Sequence, residues 1–330
     1  MSIRVMLERD LKGREVFMKY AKPAMSNRRA RVGRTLFGLV VVWAVSLLLS
    51  HGAHASSLSL ETQDLVVSDP SGQMTDERLK VLASQAQETL DQVLALWEVD
   101  SGSSRFGKIR VKFDVPRGHD YYTSVFVVAS DGAGGRRARV VMVYGFEKDP
   151  MTMAHKLTSA VFPHPDKLVR NMMGVPVEER IGNRMSFPGC GLSSDDWALA
   201  FLRANELLPI SDLGSDHASW GHQISPDGIP RVVDRIKQTK GYVEAGSFGR
   251  YLLQQYGVAK LKQFYRLSLQ GGRPWKAVFG KEVAALDREW RDALTAQEAS
   301  RGKNADIVWG MFKQNPNQAC TLVQDHVAGP

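Results

Sequence analysis

Along the body of the chain, apolar positions recur first at the two-residue spacing of strands and later at the spacing of helices. Leu58, Leu60 and the run Leu65-Val66-Val67 read as strand, closed by the turn residues Asp69-Pro70-Ser71-Gly72. Across residues 75–99, Leu79, Leu82, Ala86, Leu90, Val93, Leu94 and Trp97 share one helical face and predict the first long helix. Residues 108–115 alternate cleanly, with Ile109, Val111, Phe113 and Val115 set against Lys108, Arg110, Lys112 and Asp114, the pattern of a half-buried strand. Residues 124–129 and 138–145 are two more strand-like runs, on either side of Asp131-Gly132-Ala133-Gly134-Gly135. A glycine cluster can cradle phosphate, but between two strands it predicts a hairpin loop.

Residues 151–162 form a short apolar segment carrying a histidine, entered through Asp149-Pro150 and left at Pro163. This predicts a short buried helix capped by Asp149. A helical turn over 167–173, the segment 176–180 and a turn-rich loop, Phe187-Pro188-Gly189-Cys190-Gly191, come next. A helix over 195–205 follows, capped by Ser193 or Ser194, with Trp197, Ala200, Phe201 and Ala204 on one side. Residues 213–228 read as loop. Phe248, Tyr251, Leu252 and Tyr256 then recur at helical spacing, Gly257 offers a C-cap, and Leu261, Phe264 and Tyr265 restart the pattern. Val283, Leu286, Trp290 and Leu294 define a further amphipathic helix. The expected class is α+β: a small N-terminal mixed or antiparallel sheet packed on the 151–162 helix, followed by a helical C-terminal part. The expected division is an extension over 1–55, one compact domain over 56–300 and a tail over 301–330 that contains Trp309 and Cys320.

Charge changes this picture only at the N-terminus. The net charge is +8, but residues 1–55 carry ten lysines and arginines against three acids, and the rest of the chain is close to neutral. A nucleic-acid interface needs a basic stripe on the folded body, so nucleic acid is not an expected partner. The N-terminal segment has the parts of a secretory signal: Arg28, Arg29, Arg31 and Arg34, an apolar run over 36–49, and Ala53-His54-Ala55 before Ser56. Export to the periplasm or another extracytoplasmic space is expected, with cleavage after Ala55. If uncleaved, residues 36–49 would anchor the chain in the inner membrane, its one route to a membrane. Met25 offers an alternative start. Cys190 and Cys320 are the only cysteines; in an exported chain they can form one disulfide, the other reading being two buried thiols.

The candidate chemistry sits on the 151–162 helix. In the H-E-x-x-H pattern two imidazoles bind zinc and the glutamate is the general base. Here the five positions are His155, Lys156, Leu157, Thr158 and Ser159. The first ligand is present, the base is replaced by a cation and the second ligand by a hydroxyl. Downstream stand Trp197-Ala198-Leu199-Ala200-Phe201-Leu202-Arg203, then Ser247-Phe248 with Arg250-Tyr251-Leu252, Tyr256-Gly257 and Leu261, and then Phe279-Gly280 with Leu286 and Glu289-Trp290. In this order of parts residues 140–295 resemble the peptidase-MA-like gluzincin family of zinc metallopeptidases.

That resemblance implies a zincin-like fold and places Ala200 where the family's W-x-x-E-G-x-A pattern carries its third zinc ligand. It therefore implies a degenerate site, His155, Lys156, Ser159 and Ala200, from which zinc is lost. Catalytic zinc uses three protein ligands, so one imidazole cannot hold it, and an ammonium at the base position repels the metal and cannot accept water's proton. It also implies a groove along a sheet edge, where an extended peptide can add as a strand. Trp197, Phe201, Trp220, Tyr251 and Tyr256 are candidates to line that groove, core packing being the other reading.

Three further arrangements fit the residue types. His164, His217 and His222 can join His155 in a rebuilt metal site, although their spacing matches no recognised ligand set. Cys190 can serve as a nucleophile with His155 as its base. Glu178-Glu179 and Asp195-Asp196 can act as acid pairs, although adjacent acids at helix starts are usually dipole and capping partners. The expected function is that of an exported, catalytically inactive metallopeptidase-like protein without a cofactor, binding or scaffolding a peptide or protein partner in the cell envelope. A hydrolase with an unrecognised site and a purely structural envelope protein are the alternatives.

Overall fold

Alternating residues form the strands where the pattern places them, and a computed structural model shows how they join. It describes residues 58–100, 107–114, 124–129, 137–144, 153–225 and 230–329; the secretory-signal segment, the Asp149 cap and the 131–135 loop lie outside them. No helix among the described residues is long and apolar enough to cross a membrane. Strands β1 (Leu58–Glu61), β2 (Leu65–Asp69), β3 (Ile109–Asp114), β4 (Ser124–Ala129) and β5 (Arg137–Tyr144) form one mixed sheet in the order β1-β2-β3-β5-β4. β1–β2 and β4–β5 are antiparallel pairs, while β2–β3 and β3–β5 are parallel. A parallel join needs a crossover, and helix α1 (Asp76–Leu96), capped by Thr75, supplies the one between β2 and β3.

The architecture is α+β, with the helical part following the sheet. Leu65, Val67, Val111, Phe113, Val141 and Val143 are fully buried, as are Leu79, Leu82, Ala86, Leu90 and Val93 of α1. Burial of each larger side chain contributes about 1.5–3 kcal/mol. Helix α2 (Met153–Val161) packs on α1 and on β4 and β5.

Helix α3 (Lys167–Ile181) runs unbroken through Pro176, joining the two segments that the sequence pattern separates. Proline has no N–H, so the Met172 carbonyl loses its helical donor. Gly249 sits against that carbonyl: a Cβ there would lie 2.1 Å from the Met172 oxygen. Gly249 belongs to α5 (Arg235–Ser268), which breaks at Gly257 with φ 77°. Helical spacing reveals α5 only from Phe248. Its earlier turns are buried on most sides, among them Gly241, Glu244, Gly246 and Ser247, so small and polar residues stand where an amphipathic stripe is sought.

The remaining helices are α4 (Ser194–Arg203), α6 (Trp275–Phe279), α7 (Val283–Thr295), α8 (Glu298–Gln314) and α9 (Ala319–Ala328). The expected boundary at 300 falls inside α8, and the segment beyond it is part of the packed body. Phe312 meets Phe201 with ring centroids 5.0 Å apart, Arg301 pairs with Asp195 and Asp196, and Cys320 forms a disulfide with Cys190, Cα atoms 5.3 Å apart. The loop expected over 213–228 instead carries a 3-10 turn (Ala218–Trp220) and β6 (His222–Ile224), which pairs with β7 (Pro230–Val232).

A candidate site beside His155

Helix α2 is apolar on most sides, and Ala154, His155, Leu157, Thr158, Ser159 and Ala160 are all buried. Its two hydroxyls are satisfied locally: Thr158 Oγ1 donates to the Ala154 carbonyl at 2.8 Å and Ser159 Oγ to the His155 carbonyl at 3.1 Å. Ser159, at the second-ligand position, thus spends its hydroxyl on its own helix. The first N–H groups of a helix need outside acceptors, and the His155 N–H donates to Glu178 Oε2 at 2.7 Å. Glu178 also accepts from the Asn183 N–H at 2.9 Å, and its burial pushes the carboxyl's pKa up.

The His155 ring lies against Gly174 of α3 and edge-on to Tyr242 of α5, ring centroids 6.3 Å apart. A Cβ at Gly174 would stand 2.1 Å from His155 Cδ2. Burial, and then the charges of Lys156 and Arg170, hold the imidazole well below its ordinary pKa, so it is neutral. Gly174→Ala is expected to cost about 1–3 kcal/mol through overpacking. In a His155→Ala background the cost should shrink by about 1 kcal/mol or more, the coupling of two residues in contact. Denaturant unfolding of both single variants and the double variant measures this, and strict additivity would contradict the packing.

Lys167, Arg170 and Gly174 fall on one face of α3 at helical spacing, and Gly174 places that face toward His155. Lys167 is 3% exposed. Its Nζ is 2.9 Å from His222 Nδ1 and stands 5.0 Å and 5.4 Å from the ring centroids of Tyr242 and Trp220. Burial, then the charges of Arg170 and Lys156, bring its pKa down to about 6, opposed by Asp216. Lys156 is half-buried, and burial followed by Arg170 lowers it to about 8, opposed by Glu178. His217 and His222, ring centroids 6.0 Å apart, are lowered to about 4 and about 3, burial being the largest cause and the Lys167 charge the next. The arrangement is a partly buried group of basic side chains, Lys156, Arg170 and the amine of Lys167, beside neutral imidazoles.

The other expected residues are distributed differently. Ala200 is buried on α4, a helix that packs mainly on α5 and α8, whereas α2 packs mainly on α3 and α1; the residue brought against His155 is Gly174. His222 and His217 join the cluster, but His164 turns away, its Nε2 3.0 Å from Ser268 Oγ and its Nδ1 accepting from the Asp166 N–H. Among the described residues no group of three or more His, Cys, Asp or Glu side chains is placed to hold a metal ion. Cys190 cannot be a nucleophile with His155, because its sulfur is bonded to Cys320. The side chains expected to line a groove are core: Trp197, Phe201 and Trp220 are 0% exposed and Tyr251 is 9% exposed. Trp220 alone of these flanks the cations. Tyr256 packs on Phe279.

The adjacent acids are structural. Asp196 forms a capping box with Ser193 at the start of α4, Asp195 accepts from Ser247 at 2.7 Å and from Arg250 at 3.1 Å, and Glu179 pairs with Arg250 and Ser194. A separate cavity of about 360 Å³ opens between α1 and the end of α3 and is lined in part by Glu178, Gln85, Gln92 and Asn183. Motif reading singled out His155 and Lys156 but passed over Lys167, Arg170 and Tyr242. The available signal was an i, i+3 pair of cations on a helix whose neighbouring residues are apolar. Compared with protein-family models, with curated proteins and with solved structures, the chain matches none.

Proposed function

We propose that this chain is an exported, non-catalytic relative of the metallopeptidases with a binding role in the cell envelope. The observation that carries this reading is the surroundings of His155, where a zinc peptidase requires two further ligands and a carboxylate base. Around it stand Gly174, the Lys156 and Arg170 charges, and a ring edge of Tyr242. These residues do not fit a zinc ion, because among the described residues the side chain hydrogen-bonded to the imidazole is the Asn171 amide, no group of three His, Cys, Asp or Glu side chains is placed to hold a metal, and the neighbouring cations repel one. A general base is equally unsupported: the position after His155 is a lysine, and Glu178 is committed to backbone and side-chain donors.

Metal analysis of the purified mature protein is expected to find well under one zinc per chain, and a peptide library is expected to remain uncleaved. Stoichiometric zinc that a chelator removes would sink the reading. So would peptide turnover that survives His155→Ala, which would favour a hydrolase with a site elsewhere.

A further inference from the structure

Several other partly buried cations are neutralised by carboxylates. Arg250 holds Glu179 and Asp195, Arg273 holds Asp166, Arg291 holds Asp287 and Arg301 holds Asp196. The cations near His155 are treated differently. Among the described residues Lys156, Lys167 and Arg170 form no ion pair, and neither the Lys156 nor the Arg170 side chain makes a hydrogen bond. Among the described residues no group accepts from the Arg170 guanidinium, so its five N–H donors are left to solvent at a half-buried position. His217 Nδ1 is buried and has no partner.

Lys167 is also the first residue of α3, where the helix dipole disfavours a positive charge. The cap residue Asp166 does little to offset it, since that carboxylate is held by Arg273 through two hydrogen bonds of 2.7 Å and 3.1 Å. Keeping like charges together in a partly buried place, at the positive end of a helix, is destabilising in the free protein. An anion entering among them would supply the missing counter-charge, and guanidinium and ammonium groups are suited to oxyanions.

We propose that Lys156, Lys167 and Arg170, with His217 and His222 beside them, bind a small oxyanion carrying two negative charges, such as a phosphate or sulfate group or a dicarboxylate. This gives the binding role proposed above its ligand class and rests on that role, though not on the likeness to peptidases. Arg170 and Lys156 provide charge, and His217 Nδ1, which has no partner among the described residues, can donate when it carries the proton, while His222 is held by Lys167 and Gln238 and positions the amine. Lys167 responds to the ligand. Its ammonium form is disfavoured in the free protein by burial and by Arg170 and Lys156. Among the described residues it otherwise meets neutral imidazoles, the Tyr242 and Trp220 rings, and the exposed Asp216. A bound dianion reverses the balance and draws a proton onto the amine. Binding of the anion therefore takes up a proton, and affinity falls as pH rises above about 6, the free protein's Lys167 value.

Titration calorimetry of the whole chain with sulfate, whose charge is constant over this range, and with succinate tests the assignment. Saturable binding of at least one of them, not reproduced by chloride, is the expected result. Lys167→Met and Arg170→Met should each weaken it about ten- to hundredfold, the worth of a hydrogen bond to a charged group, while Lys80→Met, on the exposed face of α1, should leave it unchanged. Arg170→Met removes a cation without an ion pair, so its thermal midpoint should equal or exceed that of the parent chain, and Lys167→Met, which removes an amine whose charged form is disfavoured, should leave a folded protein. The sulfate affinity should fall with rising pH, and this slope should diminish in Lys167→Met. Response to sulfate alone or succinate alone tells which oxyanion geometry the site takes. No saturable binding, or binding that neither variant weakens, overturns the proposal and leaves the zinc and turnover results untouched; bound zinc would sink the earlier reading without touching this one.

Discussion

Arg250→Met is expected to lower stability by about 3–5 kcal/mol, the loss seen when one partner of a buried ion pair is removed. Arg250 projects from α5 between two helices and pairs with Glu179 of α3 and with Asp195 of α4. Asp195 is 5% exposed and also accepts from Ser247, whose hydroxyl in turn accepts from the Trp290 indole at 2.9 Å. Without the guanidinium, two carboxylates face each other with only Arg301, 3.4 Å from Asp195, left to balance them. Burial already raises the Asp195 pKa, and the variant would raise it further. A group whose folded pKa is raised contributes stability at low pH that is lost as pH rises through that pKa. The deficit of Arg250→Met should therefore narrow on acidification and widen toward neutral pH. Urea unfolding at a series of pH values measures this; a loss below about 1 kcal/mol at neutral pH, the worth of a surface pair, would show that the network is solvated.

The second large effect concerns the disulfide. Cys190 and Cys320 are separated by 130 residues, and closing so long a loop constrains the unfolded chain, so reduction or Cys320→Ala should remove about 2–5 kcal/mol. For a body of this size that corresponds to a fall in melting temperature of about 5–15 °C. The bond fastens α9 to the loop before α4, beside the Gln324 side chain bound to the Met185 carbonyl and beside Gly191, whose Cβ would lie 3.1 Å from Val327. Local hydrogen exchange in α8 and α9 should rise first on reduction, because that end of the chain loses its only covalent tie. Unchanged melting with and without reductant would show that the helical contacts of α8 with α4 suffice alone.

The two predictions draw on different kinds of information. Both cysteines and their possible pairing are visible in the chain, since a chain with two thiols has one internal disulfide available to it. The Arg250 network is not: Glu179 and Asp195 stand far from Arg250 in sequence, and nothing in local spacing marks them as partners. The adjacent acids read as helix-start residues proved partly so, with Asp196 in a capping box. Glu178 departs from that reading. It stands near the end of α3 and caps the start of α2, because the antiparallel helices bring those ends together.

Local periodicity alone determined β3, β4, β5, α1, the short helix carrying His155, α4 and α7, and with them the α+β class, though not the turn that splits β1 from β2 or the pair β6–β7. Side chains that share one face repeat at fixed intervals, so burial of that face is written in the spacing. It did not determine the first half of α5, where burial on most sides erases the stripe. Nor did it determine the C-terminal helices, whose partners Phe201, Asp196 and Cys190 lie a hundred or more residues earlier. The tertiary structure alone decided the surroundings of His155. Lys167 meets His222 across 55 residues of sequence, and Gly174 admits the His155 ring only because α3 crosses α2 at that point. A motif states which residues are present; which charges share one poorly solvated space depends on the packing of α2, α3 and α5.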